Sequence, residues 1–234
     1  MSFRKEIKFN LNKLNLEKFL FWIEKEGAEK LHNKRIVNSI YFDNKKLSMY
    51  HDSVEGITPR KKIRIRNYNK NNEFLFEKKI SSQEGRFKTS KKILKYNEII
   101  KSGLLDSQYG LCKPKIKVSY LRSYFTFKSF RITLDQNINY FKFEKNNSSK
   151  FAYKDFEFVA EIKGKNLNQD FLDNYFPFTS IRFSKYCRGI DLINSLASSG
   201  FSFIHHSIPV DLANGMIQFT KILSWPQLNS RSSR

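Results

Sequence analysis

The chain is poor in cysteine, in acidic side chains relative to basic ones, and in long apolar runs. Its two cysteines, Cys112 and Cys187, lie far apart and have no histidine at metal-ligand spacing. That excludes a disulfide framework and argues against a zinc site, and a reducing cytoplasm is the expected setting. No run of about 18 apolar residues occurs, so no membrane-spanning helix is expected, and Met1–Asn10 lacks the apolar stretch of a secretory signal. The four histidines, His205 and His206 among them, form no triad with a nucleophile and an acid and are expected to be ordinary imidazoles. Acids number 22 against 43 Lys+Arg, which leaves a formal charge of +21. Solubility does not need that excess, so an anionic partner is expected, and nucleic acid, an anionic membrane and polyphosphate all qualify. Lys and Asn are abundant throughout the chain, so net charge alone does not choose among them.

What the chain does have is a core and a period. Its 234 residues are 40% hydrophobic and 15% aromatic, enough for one globular domain. We place that domain at residues 1–200. Residues 201–234 form a C-terminal extension without clear periodicity until Met216–Leu223, and its Ser/Arg end, Asn229–Arg234, is expected to be disordered. Within the domain, charged residues alternate with apolar ones at the period of a β-strand. Glu6 and Lys8 interleave with Ile7 and Phe9, and Arg60, Lys62, Arg64 and Arg66 with Ile63 and Ile65. Glu77 and Lys79 follow Phe74 and Phe76; Arg86 and Lys88 flank Phe87; Tyr120 and Arg122 flank Leu121. Arg131, Thr133 and Asp135 flank Ile132 and Leu134, and Glu161 and Lys163 flank Ile162. Asn38–Phe42 reads as a further strand.

Helices are fewer. Leu16, Phe19, Leu20 and Ile23 fall on one helical face, with Gly27 as a stop. Short helices are expected over Asn97–Ser102, closed by Gly103, and over Asn168–Tyr175 before Pro177. A last one carries Ile190, Ile193 and Ala197 and ends at Gly200. Residues 67–72 and 145–150 read as hairpin turns.

A single alternating strand usually sets an apolar face on a core and a charged face in water. Here the charged faces of roughly seven strands are mostly Arg and Lys, the residues suited to phosphate geometry, where a water-facing surface mixes signs. We therefore expect an α+β fold in which a closed antiparallel β-barrel, flanked by helices, turns these side chains onto one axis. A barrel of about eight strands has room for one slender ligand, and buried cations there require a polyanion. Glu6, Glu77, Asp135 and Glu161 either pair with basic neighbours or carry a divalent cation, which needs only one or two carboxylates when phosphate oxygens complete its shell.

The ordered motifs KEIKF (Lys5–Phe9), SIYFDN (Ser39–Asn44), KIRIRNY (Lys62–Tyr68), FEKK (Phe76–Lys79), SYLRSYF (Ser119–Phe125), RITLD (Arg131–Asp135), AEIK (Ala160–Lys163) and FSKYCRG (Phe183–Gly189) resemble the VTC domain, the polyphosphate polymerase domain of the triphosphate tunnel (CYTH-like) superfamily. Each motif alone is weak, and their shared order from about residue 3 to residue 200 is specific. The resemblance implies a tunnel that transfers the γ-phosphate of ATP onto polyphosphate with Mn²⁺ or Mg²⁺. It implies that Arg64, Arg66 and Lys79 grip the nucleotide phosphates and that Arg122 and Arg131, beside Tyr120, are the later tunnel arginines. Lys88 matches a phosphate-binding lysine, Arg182 a second basic position, and Lys185 the lysine that guides the chain. Glu161 matches the metal-binding glutamate, with Glu6 as a second metal candidate, and Lys8, Lys62 and Lys163 share the charged faces as substrate-binding candidates. Tyr41 and Phe42 are read as packing and Asp43 as turn chemistry.

Two departures are informative. Eukaryotic relatives add a phosphate-sensing domain and membrane helices; this sequence reads as the domain alone, with a membrane-protein partner still open, as is the oligomeric state. The hydrolytic branch carries Glu-x-Glu-x-Lys on its first strand, whereas this chain has Arg4, Glu6 and Lys8 in that register. The replacement disfavours a metal-rich triphosphatase. A triphosphatase of the same fold and a non-catalytic polyphosphate-binding module are the alternatives. No specific nucleic-acid partner is expected, because the phenylalanines mostly occupy the faces opposite the charges.

Overall fold

Alternation becomes strands wherever it was read, and the strands join into one curled antiparallel sheet. The structure is a computed structural model and describes residues 5–69, 71–144, 146, 148–165, 167, 169–176 and 178–198. The expectations for Arg4, Gly200, both histidines of the extension and all of residues 201–234 lie outside the described residues. The strands are β1 (Lys5–Leu11), β2 (Glu29–Asp43), β3 (Arg60–Tyr68), β4 (Phe74–Ser81), β5 (Arg86–Ile93), β6 (Leu104–Asp106), β7 (Gly110–Phe127), β8 (Phe130–Phe143), β9 (Ser149–Lys154), β10 (Phe158–Gly164) and β11 (Ser180–Ile181). The helices are α1 (Lys13–Lys25), α2 (Ser48–Glu55), α3 (Tyr96–Ser102), α4 (Gln169–Tyr175) and α5 (Lys185–Ser198).

Hydrogen-bonded neighbours run β11-β1-β10-β8-β7-β2-β3-β4-β5, with β6 added to β7 and β9 to β8. Of the expected α+β fold the antiparallel sheet and flanking helices are present, while among the described residues no ladder joins β5 to β11 or β1 to close a barrel. The two ends instead meet through side chains. Glu6 on β1 lies 3.1 Å from Lys79 on β4 and 3.7 Å from Arg86 on β5. A side-chain seam thus stands where a last ladder would close the sheet, and the edge strand β11 supplies only two residues.

Each strand sends alternate residues to opposite faces. On one face Phe9, Leu11, Ile132, Leu134, Ala160 and Ile162 pack beneath α1, whose Phe19, Trp22 and Ile23 are buried against them. The Trp22 and Phe176 rings meet edge to face at 4.3 Å. The α1 helix starts where the Asn12 side chain accepts the Asn15 N–H at 2.8 Å and stops before Gly27, whose φ of +68° suits glycine. The opposite face carries Glu6, Lys8, Glu161, Lys163, Arg131 and Asp135.

Two motifs gain a structural reason. Asp43, fully buried, accepts the backbone N–H of Asn44, Met49 and Tyr50 and the Tyr186 hydroxyl at 2.6 Å. It thereby caps α2 and ties it to α5, joining the SIYFDN and FSKYCRG segments. The α5 helix also begins earlier than its apolar period indicates, at Lys185. It approaches the sheet so closely that a Cβ on Gly189 would sit 2.2 Å from Ile116 Cδ1 and 2.5 Å from Tyr140 Cδ1. Asp43→Ala leaves the Tyr186 hydroxyl and the first α2 amides without their acceptor, and is expected to lower stability by about 3 kcal/mol. Urea unfolding followed by circular dichroism would read that loss.

Candidate active site

The charged face of the sheet encloses a cavity of about 1020 Å³. Its wall carries every residue singled out as a candidate: Arg64, Arg66, Lys79, Arg122, Arg131, Lys8, Lys62, Lys88, Tyr120, Lys163, Arg182, Lys185, Glu161 and Glu6. They come from β1, β3, β4, β5, β7, β8 and β10 and from the chain entering α5. Strand register explains the convergence, since Lys62 lies opposite Lys79, Lys79 opposite Lys88, Lys8 opposite Glu161, and Lys163 opposite both Glu6 and Arg131.

The acids divide into two kinds. Asp135 is fully buried and saturated: Arg122 Nε and Nη2 donate to its two oxygens at 2.5 and 2.7 Å, and Lys185 Nζ donates at 2.6 Å. Glu77 accepts Arg64 Nε at 2.7 Å and Lys88 Nζ, with Arg66 at 3.8 Å. Both are therefore counter-ions that fix the tunnel cations in place. Burial pushes the Glu77 carboxyl up, but Arg64 and Arg66 outweigh it and hold the group at about 2. Asp135 is likewise held well below the carboxylate range, against its burial, by Arg122 and Lys185.

Glu6 and Glu161 are different, because they share their cations with each other. Lys163 Nζ lies 3.5 Å from Glu6 and 2.5 Å from Glu161 Oε1, and Glu6 also meets Lys8 at 3.2 Å. Burial opposes ionisation of both groups, and the surrounding lysines, Lys163 first, still depress them. The Lys163 contact lacks hydrogen-bond alignment, and the buried Glu161 Oε1 accepts no hydrogen bond. Thr133 Oγ1, on the residue opposite Glu161 across the ladder, is buried without a partner as well. Unsatisfied oxygens at this depth mark a place for a ligand. Among the described residues no group of three or more His, Cys, Asp or Glu can hold a metal. The donors fit a divalent ion whose shell phosphate oxygens complete, and they do not fit an all-protein metal cage.

Two of the cavity lysines are held below the ordinary lysine range, chiefly by burial. Burial first, with Lys163 and Lys8 adding to it, lowers Lys79 to about 8 even though Glu6 raises it. Burial lowers Lys62 too, whose Nζ donates to Ser184 Oγ at 2.9 Å. Arg66, 5% exposed, donates to Ser39 Oγ and the Tyr120 hydroxyl, each at 3.0 Å. Lys185 Nζ and the Arg122 guanidinium lie 4.7 and 5.2 Å from the Tyr120 ring centre. Lys8 donates to the Phe183 carbonyl at 2.9 Å, and Arg182 to the Ser53 carbonyl at 2.6 Å. Among the described residues, Arg131 and Arg182 have no carboxylate within ion-pair range.

Sequence reasoning missed several wall residues. Arg60 and Arg86 follow the same alternation as Lys62 and Lys88, so the period already contained them. Arg188 stands three residues from Lys185 on α5, a helical spacing hidden until the helix start was known. Tyr41, read as packing, does pack in the core cluster with Phe42 and in addition lines the cavity.

The depressed carboxylates give an acid-stability prediction. The folded pKa of Glu77, about 2, lies below its ordinary 4.5, so its stabilising contribution is complete above that ordinary value and is lost as pH falls through the folded one. Asp106, opposed by burial but held to about 2 by the Gln108 amide, Lys61 and Lys78, acts over the same window. Thermal unfolding midpoints should fall steadily from pH 4.5 towards pH 2.

The sheet thus curls around a cavity walled mainly by cations. The VTC domain family model matches residues 3–194, and the chain belongs to that family. Two solved structures described as "putative" adenylate cyclases are similar to it. One, from Bacillus halodurans, has 15% identity and a TM-score of 0.52, covering 78% of this chain and 94% of its own. The other, from Hippeastrum, described as having a dominant triphosphatase activity, has 13% identity and a TM-score of 0.48, covering 80% of this chain and 96% of its own. At 15% identity the first likeness shows a shared fold. No curated protein matches the chain in sequence. No described helix is long and apolar enough to cross a membrane.

Proposed function

We propose that the protein is a polyphosphate polymerase that transfers the γ-phosphate of ATP onto a growing polyphosphate chain inside the cavity. One observation carries this reading over hydrolysis. The carboxylates that pair with the strand cations at the cavity, Glu6, Glu77, Glu161 and, behind the wall, Asp135, are held below their ordinary range, while Glu157 and Asp191 line the cavity as well. A carboxylate so depressed is a poor general base at neutral pH. The end of a phosphate chain is already ionised and needs no base, whereas water does.

In the transfer, an oxygen of the chain end forms a bond to the γ-phosphorus while the bond from that phosphorus to the β–γ bridging oxygen breaks, and ADP leaves with the electron pair. The work of the protein is alignment and neutralisation of charge. Arg64, Arg66, Lys79, Arg122 and Arg131 hold the triphosphate, and Lys8, Lys62, Lys88 and Lys163 line the rest of the phosphate path. Tyr120 braces Arg66, and Lys185 and Arg182 receive the acceptor chain where α5 begins. Glu161, with Glu6 beside it, would hold Mn²⁺ or Mg²⁺, which when bound acts as a Lewis acid on phosphate oxygens. The side-chain seam through Glu6 completes the tunnel that hydrogen bonds leave open. The same contents make the cytoplasm, where ATP is abundant, the fitting location.

The reading is tested by stoichiometry. With ATP and Mn²⁺, transfer releases ADP without an equivalent of orthophosphate. Equal amounts of the two would favour the triphosphatase of the same fold, and turnover of neither would favour a binding module.

A further inference from the structure

Tyr41, the cavity residue that the sequence assigned to packing, carries a function of its own. It is 5% exposed, and its hydroxyl oxygen accepts Arg64 Nη1 at 3.1 Å. Among the described residues no oxygen accepts the Tyr41 O–H in return. Its surroundings are cationic on every side that faces the cavity: Arg64, Arg66 and Lys62 from β3, Lys8 from β1 and Lys185 from α5. Behind it lies the core cluster, in which Tyr186 stacks on it at 5.3 Å and Tyr140 is nearby. Cations cannot take a proton donor's hydrogen bond. A buried phenolic donor in such a place lacks an acceptor until an anion enters.

We propose that Tyr41 is a substrate-binding residue, donating its O–H to an oxygen of the bound phosphate chain while its own oxygen holds the Arg64 guanidinium in position. Tyr41 and Tyr120 then form a matched pair across β2 and β7, each accepting from one arginine of β3 and each keeping a hydroxyl proton for the ligand. The proposal rests on the reading of the cavity as a phosphate-chain site. The electrostatics agree with it: burial favours the neutral phenol, yet Arg64 and Arg66 outweigh burial and bring Tyr41 down to about 8. A bound polyanion offsets those charges, so it must raise the pKa of Tyr41 and suppress its ionisation, and by linkage ionised Tyr41 must weaken binding of the anion.

The test uses inorganic tripolyphosphate, without metal, on the full chain. Calorimetric titration of the wild type and of Tyr41→Phe compares affinities, and tyrosinate absorbance follows ionisation. Lys79 also titrates at about 8 but does not absorb, which is why the readout is optical. We expect Tyr41→Phe to bind about tenfold more weakly or worse. The wild type should show an early tyrosinate step near pH 8 that the variant lacks and that tripolyphosphate moves upward. The upward shift in the wild type needs no variant, so a misfolded Tyr41→Phe does not remove the test. Equal affinities, or an early step unmoved by bound tripolyphosphate, would overturn the role of Tyr41 alone. No binding by the wild type would overturn the cavity reading together with it.

Discussion

Glu161→Gln is expected to lower metal-dependent turnover by about a hundredfold or more while leaving tripolyphosphate binding without metal intact or tighter. The side chain keeps its shape and loses its charge, at a position where Oε1 is buried without a hydrogen bond and Lys163 is its ion-pair partner. If Glu161 holds the divalent ion, losing the carboxylate removes charge stabilisation aimed at the transferring phosphoryl group, which ordinarily amounts to two or three orders of magnitude. If Glu161 were only another counter-ion, like Glu77, its loss would free Lys163 for phosphate and activity would change little. Steady-state ATP turnover across a Mn²⁺ series, beside calorimetry with tripolyphosphate, separates the two. A misfolded variant would lose both signals.

The second large effect concerns stability. Asp135→Ala leaves the buried Arg122 guanidinium and Lys185 ammonium without the one carboxylate that both of them bond directly among the described residues. Breaking a buried ion pair from one side costs about 3–5 kcal/mol. For a domain of this size the unfolding midpoint should fall by roughly ten degrees or more. The site account adds a specific consequence: tripolyphosphate supplies the missing negative charge, so it should raise the midpoint of Asp135→Ala by more than it raises the wild type's. Differential scanning calorimetry with and without the ligand reads this, and an equal rise in both proteins would place Arg122 and Lys185 away from the phosphate path.

Much of the wall was legible because β-structure has a period of two. Once Lys62, Arg64 and Arg66 alternate with Ile63 and Ile65, the side of the sheet on which each residue stands follows from chain geometry alone. Gly27 and Gly103 marked helix ends for the same local reason, and both sit at positive φ just beyond α1 and α3. Long-range relations were not legible. Nothing local says that Glu6 will meet Lys79 and Arg86 across a seam in place of a closing ladder. The α2 helix escaped notice because its eight residues, SMYHDSVE, carry no apolar stripe and its cap, Asp43, lies outside it on β2. β6, β9 and β11 are two to six residues long and form by adding to edges. The acids show the limit most clearly. Glu77, Asp135 and Glu161 look alike in their strands, and only the fold shows that an arginine and a lysine bond each of the first two while the third keeps an oxygen without a hydrogen bond.

Incubating the protein with ATP and Mn²⁺ and resolving the products on a polyphosphate gel tests the central claim most directly. The account predicts long phosphate chains from the wild type and none from Glu161→Gln. Release of orthophosphate with no chain would contradict it.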